Sequence, residues 1–213
     1  MKTCHVINNT QLTTKTYLLE ITKNIEFIAG QFVAISLANS EEKRLYSIAS
    51  GEQDNTLKIL YEVVPDGLLT NQLCQLKVGD RVAVSEPMGR FLPTHGKALW
   101  IATGTGIAPF ISMLHSGYSN DKTLLHGSRT VEGFFFQDQF ASLLGDGYLR
   151  FCTTETAPGI ISGRLTHHLK QMDGLDPDIL YYLCGSNQMV VDVREILINK
   201  GIPYENIKAE IYF

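Results

Sequence analysis

Several short runs in this chain carry residue types suited to binding chemistry. Arg44-Leu45-Tyr46-Ser47 sets a guanidinium, a phenol and a hydroxyl within four residues. An arginine can hold a phosphate, an aromatic face can meet a flat ring and a hydroxyl can bond a ring edge, which together would make a flavin site. Tyrosine and serine in a strand also serve as packing and surface residues. Gly67-Leu68-Leu69-Thr70, followed by Asn71-Gln72-Leu73, offers a glycine-led helix start for a pyrophosphate. A second such turn is Gly104-Thr105-Gly106, where the apolar run ALWIAT meets Pro109 at the expected start of a helix. Its third glycine is missing because Pro109 stands there, and a tight strand-to-helix turn explains the run equally well. KTLLHGSRT ends in Ser128 and Arg129, where an acid would accept from a ribose 2′-hydroxyl. Serine and arginine suit a 2′-phosphate instead, although an arginine on a loop can simply be solvated. At the end of a further apolar run, Cys184 precedes Gly185, where a buried small hydrophobe is the ordinary reading of the cysteine. Two phosphate-friendly turns point to two cofactors.

The elements that must position these residues change character part-way along the 213 residues. From Thr16 to Pro87 the chain reads as short alternating segments (TYLLEI, QFVAISL, LYSIA, LKILYEVV, RVAVSE) broken by Gly, Asn, Asp and Pro, with one helix at 68–76. That pattern predicts an antiparallel barrel or sandwich, for which a β-barrel of Greek-key type over residues 1–93 is the form expected. Beyond it, ALWIAT, KTLLHG, LRFCTT and LYYLCG alternate with helical stretches at 110–116, 133–144, 163–172 and 188–200. Strand alternating with helix predicts a Rossmann-like parallel sheet over 94–213.

Charge and composition exclude several functions. Nine basic residues face ten acidic ones in 1–93 and twelve in 94–213, which argues against nucleic acid as a partner. Cys4, Cys74, Cys152 and Cys184 stand too far apart for a zinc ribbon or most iron–sulfur sites. The adjacent His167 and His168 diverge on a helix, so no metal site is expected, and redox chemistry requires an organic cofactor. Apolar runs fall short of the roughly 18 residues of a membrane span, so no membrane insertion and a cytoplasmic location are expected.

Taken in order, these motifs resemble the ferredoxin–NADP reductase family of flavoproteins across essentially the whole chain. RLYSIAS is similar to its R-x-Y-S flavin motif, Gly67 to Leu73 to its G-x-x-[ST]-x-x-L pyrophosphate motif, and Gly104 to Pro109 to its G-T-G-I-A-P turn. Cys184, Gly185 and Met189 match C-G-x-x-x-M, and Glu210 followed by Tyr212 resembles the plant-type terminus. The resemblance implies an FAD-dependent electron-transfer oxidoreductase working between NADP(H) and a ferredoxin or flavodoxin. It also implies roles. Arg44 would hold the FAD pyrophosphate, with Leu45 in the same strand, Tyr46 would stack on the isoalloxazine and Ser47 would bond near its reactive edge. Tyr61, Glu62 and Val63 with Gly67, Leu68, Leu69 and Thr70 would complete the FAD site. Thr103, Gly104, Thr105, Gly106, Ile107, Ala108 and Pro109 would carry the nucleotide pyrophosphate, and Ser128 and Arg129 its 2′-phosphate. Cys184 would border the nicotinamide, with Gly185 and Met189 beside it and Glu210 and Tyr212 on the far side of the flavin; Phe213 is a further ring able to cover it. Phe136, where NADP-preferring relatives often keep a tyrosine, removes one phosphate donor and leaves room for NAD(H). The same motifs also fit an NADH-dependent reductase component serving an oxygenase.

Overall fold

A computed structural model describes residues 1–37, 40 and 42–210. They form two compact units. The first comprises Met1–Leu92 together with Ala108–Ser116. Its strands are β1 (Lys2–Gln11), β2 (Thr16–Thr22), β3 (Phe32–Leu37), β4 (Lys43–Ser47), β5 (Thr56–Glu62) and β6 (Arg81–Val84), with α1 (Leu68–Leu73) between the last two. They pair antiparallel in the order β4-β3-β6-β1-β2-β5. A bridge between Ile48 and Ile59, with the Ala49 N–H donating to the Lys58 carbonyl at 2.8 Å, brings the two ends together and nearly closes the barrel. Alternation turns Leu19, Ile21, Val33, Ile35, Leu57, Ile59, Val82 and Val84 into one core. The helix α2 (Ala108–His115) belongs to this unit; the Phe110 ring meets Phe91 at 5.7 Å.

The second unit comprises Pro93–Ile107 and the described chain from Gly117 onward. Its sheet contains β7 (Ala98–Thr103), β8 (Lys122–Ser128), β9 (Tyr148–Cys152), β10 (Ile161–Ser162), β11 (Leu180–Cys184) and β12 (Ile207–Glu210). The order is β10-β9-β8-β7-β11-β12, and every pairing is parallel. Five consecutive residues of β7, Ala98 to Ala102, are buried, as a strand covered on both faces requires. The helices are α3 (Gln137–Leu144), α4 (Leu165–Gln171) and α5 (Asn187–Asn199). α4 and α5 contribute Leu165, Leu169, Val190, Val193 and Leu197 to a core with Leu99, Ile101, Leu125 and Leu183.

The expected classes, an antiparallel barrel followed by a parallel sheet, are those observed. Three strands escaped the sequence reading. β1 has only Cys4 and Val6 fully buried among ten residues, so its alternation is masked by polar side chains. β10 is two exposed residues, and β12 is four residues of which only Ile207 is buried. Helix limits also moved. The helix expected at 133–144 begins at Gln137, because Phe136 takes a left-handed backbone (φ 60°) that ends a helical run. The helix expected at 68–76 stops at Leu73. No described helix is long and apolar enough to cross a membrane.

Candidate functional site

In the barrel, β4 presents the Arg44-Leu45-Tyr46-Ser47 run. Arg44 is exposed and pairs with Glu42 at 2.9 Å. Such a surface pair contributes only about 0–1 kcal/mol, so an incoming phosphate can displace the carboxylate. Leu45 is exposed and Ser47 buried. Tyr46 stands edge-on to Tyr61, centroids 6.4 Å apart, and Tyr61 in turn stacks on Tyr17 at 5.6 Å. The Tyr61 hydroxyl donates to the Asn9 side chain at 3.2 Å. Tyr46's own hydroxyl is buried and has no hydrogen-bond partner among the described residues. Burial pushes that phenol up to about 12, against the pull of the Arg44 charge. A buried, partnerless phenol suits a bound polar ligand, so the barrel residues fit the flavin they resemble a site for.

The second barrel segment folds on itself. Thr70 Oγ1 accepts from the Val64 N–H at 3.1 Å, and the Asn71 amide donates to the carbonyls of Val64, Pro65 and Gly67. A Cβ on Gly67 would come 2.8 Å from that same Thr70 oxygen. Leu68 is exposed and Leu69 buried. Glu62 pairs with Lys15, and the Val63 N–H donates to the Lys15 carbonyl at 2.7 Å.

In the parallel sheet, β7 and β11 are neighbours whose connections run to opposite sides, the place where open α/β sheets bind ligands at their carboxyl ends. Thr103 ends β7, and Gly104 to Ile107 form a 3-10 turn, with Gly104 at φ 56°. A Cβ on Gly106 would lie 2.4 Å from the Cys184 carbonyl oxygen, and one on Gly185 2.2 Å from Thr103 Oγ1. Thr103 Oγ1 also accepts from the Ser186 N–H at 3.3 Å. Glycine at 106 and 185 therefore lets the two strand ends meet backbone to backbone. Met189 packs beside Gly185, and Ala108 and Pro109 are buried at the start of α2. Cys184 is fully buried; burial pushes its thiol up, and the Glu210 carboxylate adds to the effect. It is a neutral thiol at physiological pH. Glu210 faces Cys184 in the pairing of β12 with β11.

At the end of β8, Ser128 Oγ donates to the Thr130 carbonyl at 2.8 Å, so its proton is engaged within the turn. Arg129 is exposed, with no side-chain hydrogen bond or ion pair to another described residue. Tyr212 and Phe213 lie outside the described residues, and the roles expected of them stay expectations. No group of three metal-ligating side chains occurs among the described residues. His168 instead packs on Phe151 at 4.9 Å. Sequence reasoning missed the Tyr17–Tyr61–Asn9 support behind Tyr46. Its signal was two tyrosines each at an alternating strand position.

Two family descriptions match successive parts of the chain, the second of them including residues 108–116, which pack with the first structural unit. The family description "Oxidoreductase FAD-binding domain" matches residues 3–92 and "Oxidoreductase NAD-binding domain" residues 100–195. A flavodoxin/ferredoxin–NADP reductase of Rhodobacter capsulatus is 32% identical, the match covering 84% of this chain and 78% of the relative. The chain belongs to the ferredoxin–NADP reductase family. It is an FAD-dependent oxidoreductase with a domain for a pyridine nucleotide. Similarity also extends to the electron transfer component of toluate 1,2-dioxygenase from Pseudomonas putida, 30% identical over 96% of this chain and 66% of that longer protein. Among solved structures, a ferredoxin NADP+ reductase from Neisseria gonorrhoeae with bound FAD and NADP has a TM-score of 0.90 at 24% identity, covering 98% of this chain and 97% of that one. At that identity the likeness speaks for the fold.

Proposed function

We propose that this reductase passes electrons between NADP(H) and a ferredoxin or flavodoxin, with FAD held by residues 1–93 and the nucleotide by residues 94–213. Bound FAD supplies the exchange between the two-electron chemistry of nicotinamide and one-electron carriers. In this reading Arg44 meets the FAD pyrophosphate, Tyr46 lies on the ring and Ser47 bonds its edge. Tyr61 to Val63 and Gly67 to Thr70 close the flavin site. Thr103 to Ala108 receive the nucleotide pyrophosphate on backbone N–H groups, with Pro109, which has no N–H, in the first turn of α2, and Arg129, with Ser128, meets the 2′-phosphate. Cys184, whose burial disfavours the thiolate, would border the nicotinamide as a neutral thiol and not as a nucleophile. Gly185 and Met189 shape that edge, and Glu210 and Tyr212 complete it.

The observation that carries the reading is the buried Tyr46 hydroxyl, without a hydrogen-bond partner among the described residues, on the strand that also bears Arg44 and Ser47. The test is a spectrum. The purified chain should be yellow with stoichiometric FAD, bleach anaerobically with NADPH faster than with NADH, and reduce cytochrome c only when ferredoxin or flavodoxin is added. A colourless chain that takes up no added FAD would end the proposal.

A second reading, an NADH-dependent reductase component serving an oxygenase, draws support from Phe136, which offers no hydroxyl, and from the engaged Ser128 proton. Faster bleaching by NADH than by NADPH would select it.

A further inference from the structure

Strand β8 carries a histidine inside an apolar run, and the fold buries it completely. His126 Nδ1 lies 2.9 Å from the Tyr148 hydroxyl on β9. Its Nε2 has no hydrogen-bond partner among the described residues. Phe134 stands perpendicular to the imidazole with ring centroids 5.2 Å apart, and Phe140 of α3 approaches at 6.5 Å. An apolar side chain would fill this place without leaving a buried nitrogen unpaired, so the imidazole lowers stability here. What it alone supplies is a directed bond to Tyr148, which fixes its own ring and hence the seat of Phe134.

Phe134 belongs to the loop that starts at Arg129, immediately beyond the end of β8. Other links pin that loop at its base: the Arg129 carbonyl accepts from Thr154 Oγ1 and from Cys152 Sγ, and the Val131 N–H donates to the Glu155 carboxylate at 2.6 Å. At its far end Phe136 holds the left-handed backbone, a conformation a bulky residue keeps only when its surroundings impose it. The Gln137 N–H that follows it donates to the Phe134 carbonyl at 3.2 Å, and the Gln137 side-chain oxygen accepts from Arg150 at 2.8 Å. The Arg150 guanidinium lies 5.7 Å from the Tyr148 ring centre, so it joins the same cluster.

We propose that His126 and Tyr148 form a positioning pair that fixes the 129–136 loop, through Phe134, for the 2′-phosphate end of the pyridine nucleotide. The proposal rests on the reading above that Ser128 and Arg129 receive that end. Neither member of the pair touches the nucleotide. Both act by setting where Arg129 is carried.

The test uses the flavin-loaded chain with ferricyanide as acceptor, so that no carrier protein need be identified. His126→Phe, Tyr148→Phe and the double variant are compared with the parent for kcat and KM with NADPH and with NADH. Each single change should raise KM for NADPH about fivefold or more, raise KM for NADH less and leave kcat within about twofold. The double variant should be no worse than the poorer single one, because both changes break the same bond. Tyr148→Phe removes one oxygen and keeps the ring, so it decides the matter alone if His126→Phe does not fold. A Tyr148→Phe protein with unchanged KM for NADPH, or with equal rises for both nucleotides, overturns the proposal. A parent that oxidises neither nucleotide overturns the functional reading and this proposal with it, whereas a working parent with an unmoved variant overturns this proposal alone.

Discussion

On β4 the candidate groups are side chains: a guanidinium, a phenol and a hydroxyl set out from a strand of the barrel. Where β7 and β11 end, the candidate surface is backbone, and its shape comes from side chains that are missing at Gly106 and Gly185. The two regions should therefore fail differently. Removing a group from β4 deletes one interaction and leaves the barrel standing. Adding a group at Gly106 pushes two strands apart.

The largest effect is expected there. Gly106→Ala would place its Cβ 2.4 Å from the Cys184 carbonyl oxygen and 2.5 Å from Gly185 Cα, and neither atom belongs to a flexible side chain. Overpacking of that kind costs about 3 kcal/mol, or about 10 °C in melting temperature for a chain of this size. NADPH oxidation should vanish while flavin content per folded chain stays near one. Calorimetry and the flavin spectrum together check this, and retained nucleotide turnover would mean that the strand ends can part without consequence.

The next effect separates the regions by pH. Burial, helped by the Arg150 charge, pushes His126 down to about 3, whereas an unfolded histidine titrates near 6.5. The unfolded chain therefore binds a proton that the folded one refuses between those values, so this contribution is complete above pH 6.5 and drains away as pH falls. From pH 6.5 to 5 the loss is about 2 kcal/mol. Trp100, the only tryptophan, lies in β7 and reports on the parallel sheet. Urea unfolding followed by its fluorescence should weaken over that interval, and His126→Phe should flatten the slope. An equal slope in the variant would assign the acid sensitivity elsewhere.

How much of this was legible in the sequence follows the same contrast. Arg44, Tyr46 and Ser47 could be read from residue type alone, because their chemistry is in their side chains. The turn at Gly104 to Pro109 was visible as a glycine pattern, yet not its cause, since the contact of Gly106 with Cys184 joins residues 78 positions apart in the chain. β1 was missed for a physical reason too: a strand with two buried positions in ten carries almost no apolar period. His126 stood in plain view within LLHG, but its partner Tyr148 comes from the neighbouring strand. Pairing across strands is a property of register, which spacing along one strand does not encode.

A smaller effect tests β4 directly. Ser47→Ala removes one hydroxyl from a buried position and should slow NADPH-dependent ferricyanide reduction about tenfold, equivalent to about 1.4 kcal/mol, with FAD content near normal. Stopped-flow reduction and an absorbance ratio are sufficient. If both values hold at the parent level, Ser47 is a packing residue and the side-chain description of β4 narrows to Arg44 and Tyr46.

The smallest effect has the most informative sign. Tyr46→Phe deletes an oxygen that is buried and unpartnered among the described residues, while keeping the ring against Tyr61. A buried hydroxyl without a partner lowers stability, so the flavin-free variant should be more stable than the flavin-free parent by about 1 kcal/mol. With flavin present the order should reverse, because the parent's hydroxyl then gains the bond it lacks and the variant gains nothing. Melting curves of both proteins, each with and without FAD, measure the four values. The crossing is what distinguishes a binding group from a packing one: a variant that is more stable in both states, or less stable in both, would show that the phenol oxygen of β4 meets no ligand.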